Sequence, residues 1–235
     1  MFEQVPLTGS TNADLLDRIS LGAPEGLWLR ADVQASGRGR LGREWVSPVG
    51  NLYASCIVRL QPADPPAATL AFVAAVATYE AITTSAPAVG LQIKWPNDLL
   101  SLSGEKLCGM LLERKDDAVV IGIGVNLAHA PEGTGRAVTS IARLGATPML
   151  PQPFVELLAK IFADQLVIWR TYGAEAIFNA WKDRAHPIGT PITAQLPGGG
   201  MLVGTYDGLS DEGALRLRLA DGSIRAIHAA DVFLV

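Results

Sequence analysis

The chain of 235 residues is long enough for one sizeable domain, or for one domain with a small companion. Hydrophobic residues make up 49% of the chain, charged residues 18%, and the net charge is −4. This acidic balance excludes a global positive field that would attract nucleic acid or an anionic membrane, so a cationic stretch must act locally.

The first part of the chain predicts a helix and then an extended segment. Residues 1–10, MFEQVPLTGS, have neither the positive charge nor the apolar run of a signal peptide. Ser10 or Thr11 can cap a helix that begins there. After that helix, residues 27–36 (LWLRADVQAS) are predicted to be extended, and they lead into SGRGRLGREW at 36–45.

The middle of the chain predicts a strand, a buried helix and a run of hairpins. Residues 51–60 (NLYASCIVRL) are rich in β-forming side chains. The Ala-rich segment 67–82 is too short and too polar to span a bilayer, so we interpret it as a buried helix. Residues 91–127 alternate short apolar runs with turn residues, and connections this short favour an antiparallel meander.

The last part of the chain changes from helical to β patterning. Apolar residues repeat at helical spacing after Pro153, and residues 174–181 continue the helical pattern. From Pro187 onwards, turn signals such as 198–200 separate short alternating segments. We therefore predict a catalytic domain at 1–187 and a small β-barrel module at 188–235.

Cysteine and histidine usage indicates a reduced protein without a zinc site. Cys56 and Cys108 are the two cysteines, and they have no metal-type spacing. His129, His186 and His228 lie far apart in the sequence. We expect a cytoplasmic location.

The Gly/Arg loop, residues 36–45, is the first candidate for a functional segment. Arg38, Arg40 and Arg43 alternate with glycines, and Trp45 follows them. Arginine binds carboxylates and phosphates through two parallel hydrogen bonds, and glycines let the loop approach an anion closely. A solvated basic hairpin or an RNA-contacting arm is the competing interpretation of this segment alone.

The motif KWPND at 94–98 is the second candidate. Asn97 and Asp98 offer oxygen ligands that suit Mg²⁺ bridged to phosphates, and Lys94 adds a compact cation. Pro-Asn-Asp is also ordinary turn chemistry, which explains the motif equally well when it stands alone.

The segment EKLCGM at 105–110 contributes a lysine at the margin of an apolar strand. Lys106 could neutralise a reacting carboxylate or phosphate, and Gly109 clears space beside it. A solvated strand end is the alternative. In an antiparallel meander, Lys106 would lie on a strand next to 94–98 and could face the same cavity.

The segment IGIGVN at 121–126 places two glycines within a strand. Gly122 and Gly124 alternate there, which marks close approach by a ligand or another backbone, and Asn126 ends the run with an amide. The pattern does not open a helix, so it does not predict a dinucleotide site.

Taken together in this order, the motifs resemble those of the biotin–protein ligase family, and the resemblance covers nearly the whole chain. The matching segments are STN at 10–12, GRGRLGREW at 37–45, KWPNDLL at 94–100, KLCGMLLE at 106–113 and GIGVN at 122–126. The resemblance implies an α+β fold. It consists of a mixed, largely antiparallel sheet flanked by helices, as in class II synthetases, with a C-terminal SH3-like β-barrel.

The resemblance also implies an activity: the family joins biotin to AMP using MgATP, releases pyrophosphate, and passes the biotinyl group to a lysine of a biotin carboxyl carrier protein. The residues it assigns to catalysis are Lys106, Arg38 and Arg40. Those assigned to biotin are Ser10, Thr11, Gln34, Gly37, Arg38, Lys106, Gly109, Gly122 and Gly124. Those assigned to ATP and the adenylate are Arg38, Arg40, Arg43, Trp45, Lys94, Asn97, Asp98 and Asn126, with Asp98 as the candidate Mg²⁺ ligand.

Further expectations concern partners. Some family members carry an N-terminal DNA-binding domain, and the STN segment begins by residue 10, so we expect neither DNA binding nor repression, and no membrane partner. A homodimer is compatible with the resemblance. The alternatives are a lipoate–protein ligase or octanoyltransferase, and, in a different class, a nucleic-acid-binding module that uses the Gly/Arg loop and has strongly salt-dependent affinity.

Overall fold

The computed structural model describes residues 1–133, 135–197 and 199–234. Gly198, part of the predicted turn at 198–200, lies outside these ranges. The helices are α1 (Thr11–Ile19), α2 (Leu70–Ser85), α3 (Pro151–Tyr172) and α4 (Ala174–Lys182). The first seven strands are β1 (Phe2–Thr8), β2 (Trp28–Gln34), β3 (Leu52–Arg59), β4 (Leu91–Lys94), β5 (Asp98–Ser101), β6 (Lys106–Lys115) and β7 (Ala118–Val125). The remaining five are β8 (Pro191–Gln195), β9 (Met201–Leu209), β10 (Leu215–Arg218), β11 (Ile224–Ile227) and β12 (Asp231–Leu234).

Strands β1–β7 form one mixed sheet in the order β1-β2-β3-β7-β6-β5-β4. All neighbours are antiparallel except β1 and β2, which pair in parallel. The predicted meander over 91–127 is therefore confirmed as β4–β7. Strand β1 was not predicted from the sequence, since its side chains are largely exposed and give no apolar pattern.

Helices cover both faces of this sheet. The helix α1 packs Leu15 and Ile19 against one face, on a small cluster that includes Ile57 of β3. Helices α2, α3 and α4 cover the other face and pack with both sheets in the large core. The predicted apolar faces of these helices are therefore buried as expected.

Helix α2 is buried around most of its circumference, which explains its Ala-rich composition. Small side chains such as Ala74, Ala75 and Ala77 are fully buried and allow close packing against neighbouring helices and strands. Among the described residues, the segment Ala67–Ser85 is the one helix long and apolar enough to cross a membrane by length and composition. Its position in the protein core accounts for that composition.

Strands β8–β12 form a second, antiparallel sheet in the order β11-β10-β9-β8-β12. In the described part of the chain, its two edge strands β11 and β12 are not paired with each other, so the sheet is open and no closed barrel is found. Its inward side chains, including Ile192 and Leu217, belong to the same core as the large sheet. The indole N–H of Trp95 also donates to Gly213 O at 3.1 Å across the junction. The predicted α+β class is confirmed, whereas the division at residue 188 stays a prediction.

Candidate active site

A cavity of about 330 Å³ opens between α1, the Gly/Arg loop, strands β4–β7 and the C-terminal strand β12. Nearly all of the predicted site residues line it. They are Ser10, Thr11, Gln34, Arg38, Arg40, Arg43, Trp45, Lys94, Asn97, Asp98, Lys106, Gly109, Gly122, Gly124 and Asn126. The volume is in the range of pockets that hold small-molecule ligands.

Gly37 is the one predicted residue that the structure does not place in the cavity wall. A Cβ on Gly37 would lie 2.5 Å from the carbonyl oxygen of Trp45 and 3.0 Å from the side chains of Gln34 and Ser47. Its small size therefore lets the two ends of the Gly/Arg loop close on each other.

Glycines form the floor of the cavity beneath Trp45. Gly109 of β6 and Gly124 of β7 are cross-strand partners. A Cβ would lie 2.8 Å from the indole of Trp45 at Gly109, and 2.6 Å from it at Gly124. The indole nitrogen of Trp45 is buried over Gly124 and has no hydrogen-bond partner in the described part of the chain.

Asp98 is the centre of a buried cluster of basic side chains. Its carboxylate lies 2.5 Å from Lys106 Nζ, 3.2 Å from Lys94 Nζ and 4.0 Å from Arg136 Nη1. Strand register produces this arrangement, because Asp98 pairs with Lys94 on one side and with Gly109 on the other. The predicted convergence of KWPND and Lys106 is thus observed.

The pKa values in this cluster follow from burial opposed by charge. Burial raises the pKa of Asp98, but the ammonium groups of Lys106 and Lys94 outweigh it, so the carboxyl pKa lies below 3.8. Burial lowers the pKa of Lys94, and the Asp98 carboxylate opposes this shift. Burial also lowers the pKa of the Arg40 guanidinium from its usual value.

Ala230 and the first two residues of strand β12 contact basic side chains of the site, and the sequence did not predict them. Ala230 O lies 3.4 Å from Arg40 Nη1, and Val232 O accepts from Lys94 Nζ at 2.9 Å. The carboxylate of Asp231 forms an ion pair with Arg43. The sequence holds no local signal for this, since these residues lie over 130 positions from their partners.

At the other end of the cavity, the start of α1 meets the end of β2. Thr11 N–H donates to Gln34 Oε1 at 2.9 Å. Ser10 occupies the predicted N-cap position, but its side chain makes no capping hydrogen bond. Asn126 is held internally: its amide donates to Thr139 O at 3.0 Å, and Asn51 Nδ2 lies 3.4 Å from its oxygen.

Comparison with family models decides between the biotin and nucleic-acid interpretations. Residues 5–126 match the Biotin/lipoate A/B protein ligase family, and residues 188–235 match the Biotin protein ligase C terminal domain. The chain belongs to the biotin protein ligase family. The C-terminal match separates it from the lipoate branch of the wider family.

Relatives of known name agree with this assignment across the whole chain. A biotin--[acetyl-CoA-carboxylase] ligase from Paracoccus denitrificans is 42% identical, over 96% of this chain and 97% of the relative. The corresponding ligase of Mycobacterium tuberculosis is 32% identical, over 97% of this chain and 86% of the relative. The biotin protein ligase of Aquifex aeolicus, solved in complex with biotin and ATP, superposes with a TM-score of 0.88. That structure is 23% identical and covers 100% of this chain and 99% of its own.

The Mg²⁺ ion that ATP chemistry in this family implies would have one predicted carboxylate ligand in this site. Asp98 was the candidate ligand, yet both of its oxygens face lysine ammonium groups. Protein-bound Mg²⁺ usually takes one or two carboxylates together with substrate phosphates. In this structure Asp98 holds the two lysines, and its part in binding Mg²⁺ stays a prediction.

Proposed function

We propose that this ligase activates biotin with ATP to form biotinyl-5′-AMP, releasing pyrophosphate. It then transfers the biotinyl group to a lysine of the biotin carboxyl carrier protein of acetyl-CoA carboxylase. In this proposal Mg²⁺ arrives with ATP as part of the substrate. The A. aeolicus complex with biotin and ATP and the name of the P. denitrificans relative support the choice of substrates.

The observation that carries the proposal is the placement of cationic side chains from distant segments around one cavity. Lys94, Lys106, Arg40 and Arg43 all line it. Activation brings the carboxylate of biotin to the α-phosphate of ATP, and both are anions. At 4 Å their repulsion is about 4 kcal/mol at a surface-like dielectric, so flanking cations are needed to stabilise the encounter.

We assign Lys106 and Arg38 to the reacting carboxylate and α-phosphate, and Arg40 and Arg43 to the adenylate. Lys106 lines the cavity, and its Nζ lies 5.4 Å from the ring centroid of Trp45. Arg38 is exposed, so its guanidinium is free to turn towards incoming anions. Closure of the Gly/Arg loop would shield the mixed anhydride from water, which hydrolyses it.

The end of the cavity lined by Thr11 and Gln34, here called the polar end, favours biotin over lipoate. Thr11 and Gln34 present a hydroxyl and an amide where the ring of the ligand is expected. A ureido ring needs hydrogen-bond partners there, whereas the dithiolane ring of lipoate does not. Calorimetric titration with each acid separates the two substrates: tight binding of lipoate without binding of biotin would contradict the proposal.

The direct test is incubation with biotin, MgATP and a biotin-acceptor domain, followed by mass spectrometry of the acceptor. We expect the mass of one biotinyl group to be added only when ATP is present. Omission of ATP and replacement of the acceptor lysine by arginine are the controls. An unmodified acceptor together with strongly salt-dependent RNA binding would favour the nucleic-acid alternative.

Gly124→Ala should weaken biotin binding by at least about 10-fold. The added Cβ would lie 2.6 to 2.7 Å from three atoms of the Trp45 indole, so the ring must move within the cavity. Calorimetry gives the dissociation constant. Gly200→Ala is the matched control, because its nearest neighbour would be the Leu196 side chain at 3.8 Å, and it should bind biotin normally. Unchanged affinity in Gly124→Ala would show that Trp45 does not form part of the binding surface.

Asp231→Asn should raise the KM for ATP about 3- to 10-fold and change kcat less. Asparagine keeps the shape of the side chain but loses the charge that holds Arg43, so the guanidinium is less well placed for phosphate. Steady-state acceptor biotinylation measures both constants. Asp221→Asn, in an exposed turn of the same module, is the control. If the ATP dependence of Asp231→Asn matches that of Asp221→Asn, the ion pair has no part in nucleotide binding.

We also propose a cytoplasmic location. Cys56 and Cys108 are free and buried, which is compatible with a reducing compartment, and burial raises the pKa of both thiols. The absence of repressor activity and the homodimer stay predictions.

A further inference from the structure

Behind the polar end of the cavity, a chain of hydrogen bonds links three strands to helix α1. Asn12 Nδ2 lies 2.8 Å from Glu113 Oε2, and Asn12 Oδ1 lies 2.6 Å from Ser55 Oγ. Ser55 Oγ is 2.7 Å from Thr11 Oγ1, and Thr11 contacts Gln34. We call this chain of hydrogen bonds from Glu113 to Gln34 the relay. Ser55 and Glu113 do not line the cavity, so they can affect a ligand only through the other side chains of the relay.

Chemistry fixes the direction of the first step in the relay. Asn12 Nδ2 faces two groups that can only accept, the Glu113 carboxylate and Leu111 O at 3.2 Å. The nitrogen of the Asn12 amide must therefore point towards them, whichever way the amide is drawn. Its oxygen consequently points at Ser55.

The next two steps follow from the short distances between oxygens. Two acceptors at 2.6 Å would repel, so the hydroxyl proton of Ser55 must lie between Ser55 and Asn12. Ser55 then has no proton for Thr11 and accepts instead. The Thr11 hydroxyl therefore donates to Ser55 at 2.7 Å rather than to Gln34 Oε1 at 3.1 Å, because two unprotonated oxygens at 2.7 Å would repel. Thr11 Oγ1 is left with acceptor capacity in the wall of the cavity.

The amide of Gln34 presents a hydrogen-bond donor to the cavity, whereas the Thr11 hydroxyl presents an acceptor. Its oxygen accepts the backbone N–H of Thr11, so its NH₂ group points away, towards Ser47 Oγ at 3.4 Å. The hydroxyl of Ser47 donates to Trp45 O at 2.9 Å, and its oxygen can accept from Gln34. One N–H of Gln34 takes that bond, and the second can donate to a ligand.

We propose that Glu113, Asn12 and Ser55 are positioning residues that hold the Thr11 hydroxyl as an acceptor beside the Gln34 amide as a donor. This pair is complementary to a ligand edge that carries N–H next to C=O, as a cyclic urea does. The inference rests on the proposed function and explains how its biotin site distinguishes N–H from other ring atoms.

Burial keeps the directions of these hydrogen bonds fixed. Ser55 is 0% and Asn12 4% exposed, so water does not replace a missing partner in the middle of the relay. A Cβ at Gly122 would lie 2.3 Å from Asn12 Oδ1, so the glycine on β7 provides the space in which the Asn12 amide is held. A hydroxyl with a fixed proton rejects a ligand acceptor, because two lone pairs would then face each other.

The test compares biotin with its two cyclic carbamate analogues, in each of which one ureido N–H is replaced by oxygen. In wild-type protein, the analogue whose ring oxygen faces Thr11 should bind about 10- to 100-fold more weakly than biotin. In Ser55→Ala the Thr11 hydroxyl loses its nearest acceptor. The ring oxygen of the analogue then competes for its proton only with Gln34 Oε1 at 3.1 Å, so the hydroxyl can turn to donate to the analogue. The ratio of the two dissociation constants should therefore fall at least about 5-fold, while a purely structural defect would weaken both ligands equally.

Two further variants complete the design. Glu113→Ala should shift the ratio in the same direction but less, because Leu111 O still orients the Asn12 amide. Ser101→Ala removes a buried hydroxyl from the same sheet without touching the relay, so it should leave the ratio unchanged. A wild-type ratio for both analogues in folded Ser55→Ala would overturn the inference. Failure of wild-type protein to bind biotin would overturn the proposed function, and the inference with it.

Discussion

Lys106→Ala is expected to abolish biotin-dependent exchange of pyrophosphate into ATP, with a loss of about 100- to 1,000-fold. The ammonium group of Lys106 contacts two parts of the cavity wall. It lies 2.5 Å from Asp98 in the basic cluster, and it lies beside Gly109 in the floor of the cavity. From there it can stabilise the charge that develops when the biotin carboxylate attacks phosphorus. Biotin binding should weaken less, because the polar end of the cavity is left intact.

The variant is suitable for this test because it should remain folded. After removal of Lys106, the Asp98 carboxylate keeps Lys94 at 3.2 Å, so the buried charge is not left alone. Lys115→Ala is the matched control: it removes a lysine from the other end of the same strand, where Nζ donates to Leu16 O, and it should retain exchange. Wild-type exchange rates in Lys106→Ala would remove this residue from the mechanism.

The meander β4–β7 of the large sheet could be predicted from the sequence because its signals are local. Short apolar runs separated by two- to four-residue turns allow little other than a meander, and 91–127 folds as one. The same logic placed Lys94, Asp98 and Lys106 on adjacent strands. Their distances could not be predicted, because these depend on a register shift between β5 and β6.

Sequence patterns could not predict the contacts between segments that lie far apart in the chain. Asp231 and Val232 enter the site only because the C-terminal sheet shares a core with the large sheet, and an isolated Asp-Val pair carries no motif. The positioning role proposed for Ser55 could not be predicted either. In NLYASCIVRL it is an ordinary strand residue, and its hydrogen-bond partners come from α1. Strand β1 was missed because an exposed edge strand in parallel pairing lacks apolar alternation.

The C-terminal module was predicted as a small β-barrel, and its antiparallel strands are found without closure. Turn signals and alternating residues predict antiparallel strands, but closure depends on whether the first and last strands of the sheet meet. Here the two edges, β11 and β12, remain apart in the described part of the chain, and β12 turns towards the cavity instead. Its position there allows the C-terminal sheet to contact the Gly/Arg loop.

Asp98→Asn is expected to lower the free energy of unfolding by about 3 kcal/mol at pH 7. Asparagine leaves two buried ammonium groups, Lys94 and Lys106, without the carboxylate that separates them, and they then repel each other. Urea denaturation measures the loss. Asp117→Asn removes a carboxylate from an exposed pair with Arg59 and should cost several times less. Pyrophosphate exchange should fail as well, since both lysines lose their anchor.

The direction of the Asp98 pKa shift determines how this difference in unfolding free energy should change with pH. The pKa of Asp98 is lower in the folded protein than its ordinary value of 3.8, because Lys106 and Lys94 outweigh the effect of burial. A lowered carboxyl pKa contributes stability that is fully present above the unfolded pKa and is lost as the pH falls through the folded pKa. The difference in unfolding free energy between wild-type protein and Asp98→Asn should therefore hold from pH 7 down to about pH 4 and shrink only below that. A difference that disappears between pH 7 and 5 would contradict an ionised, lysine-bound Asp98 and would place its pKa above the ordinary range.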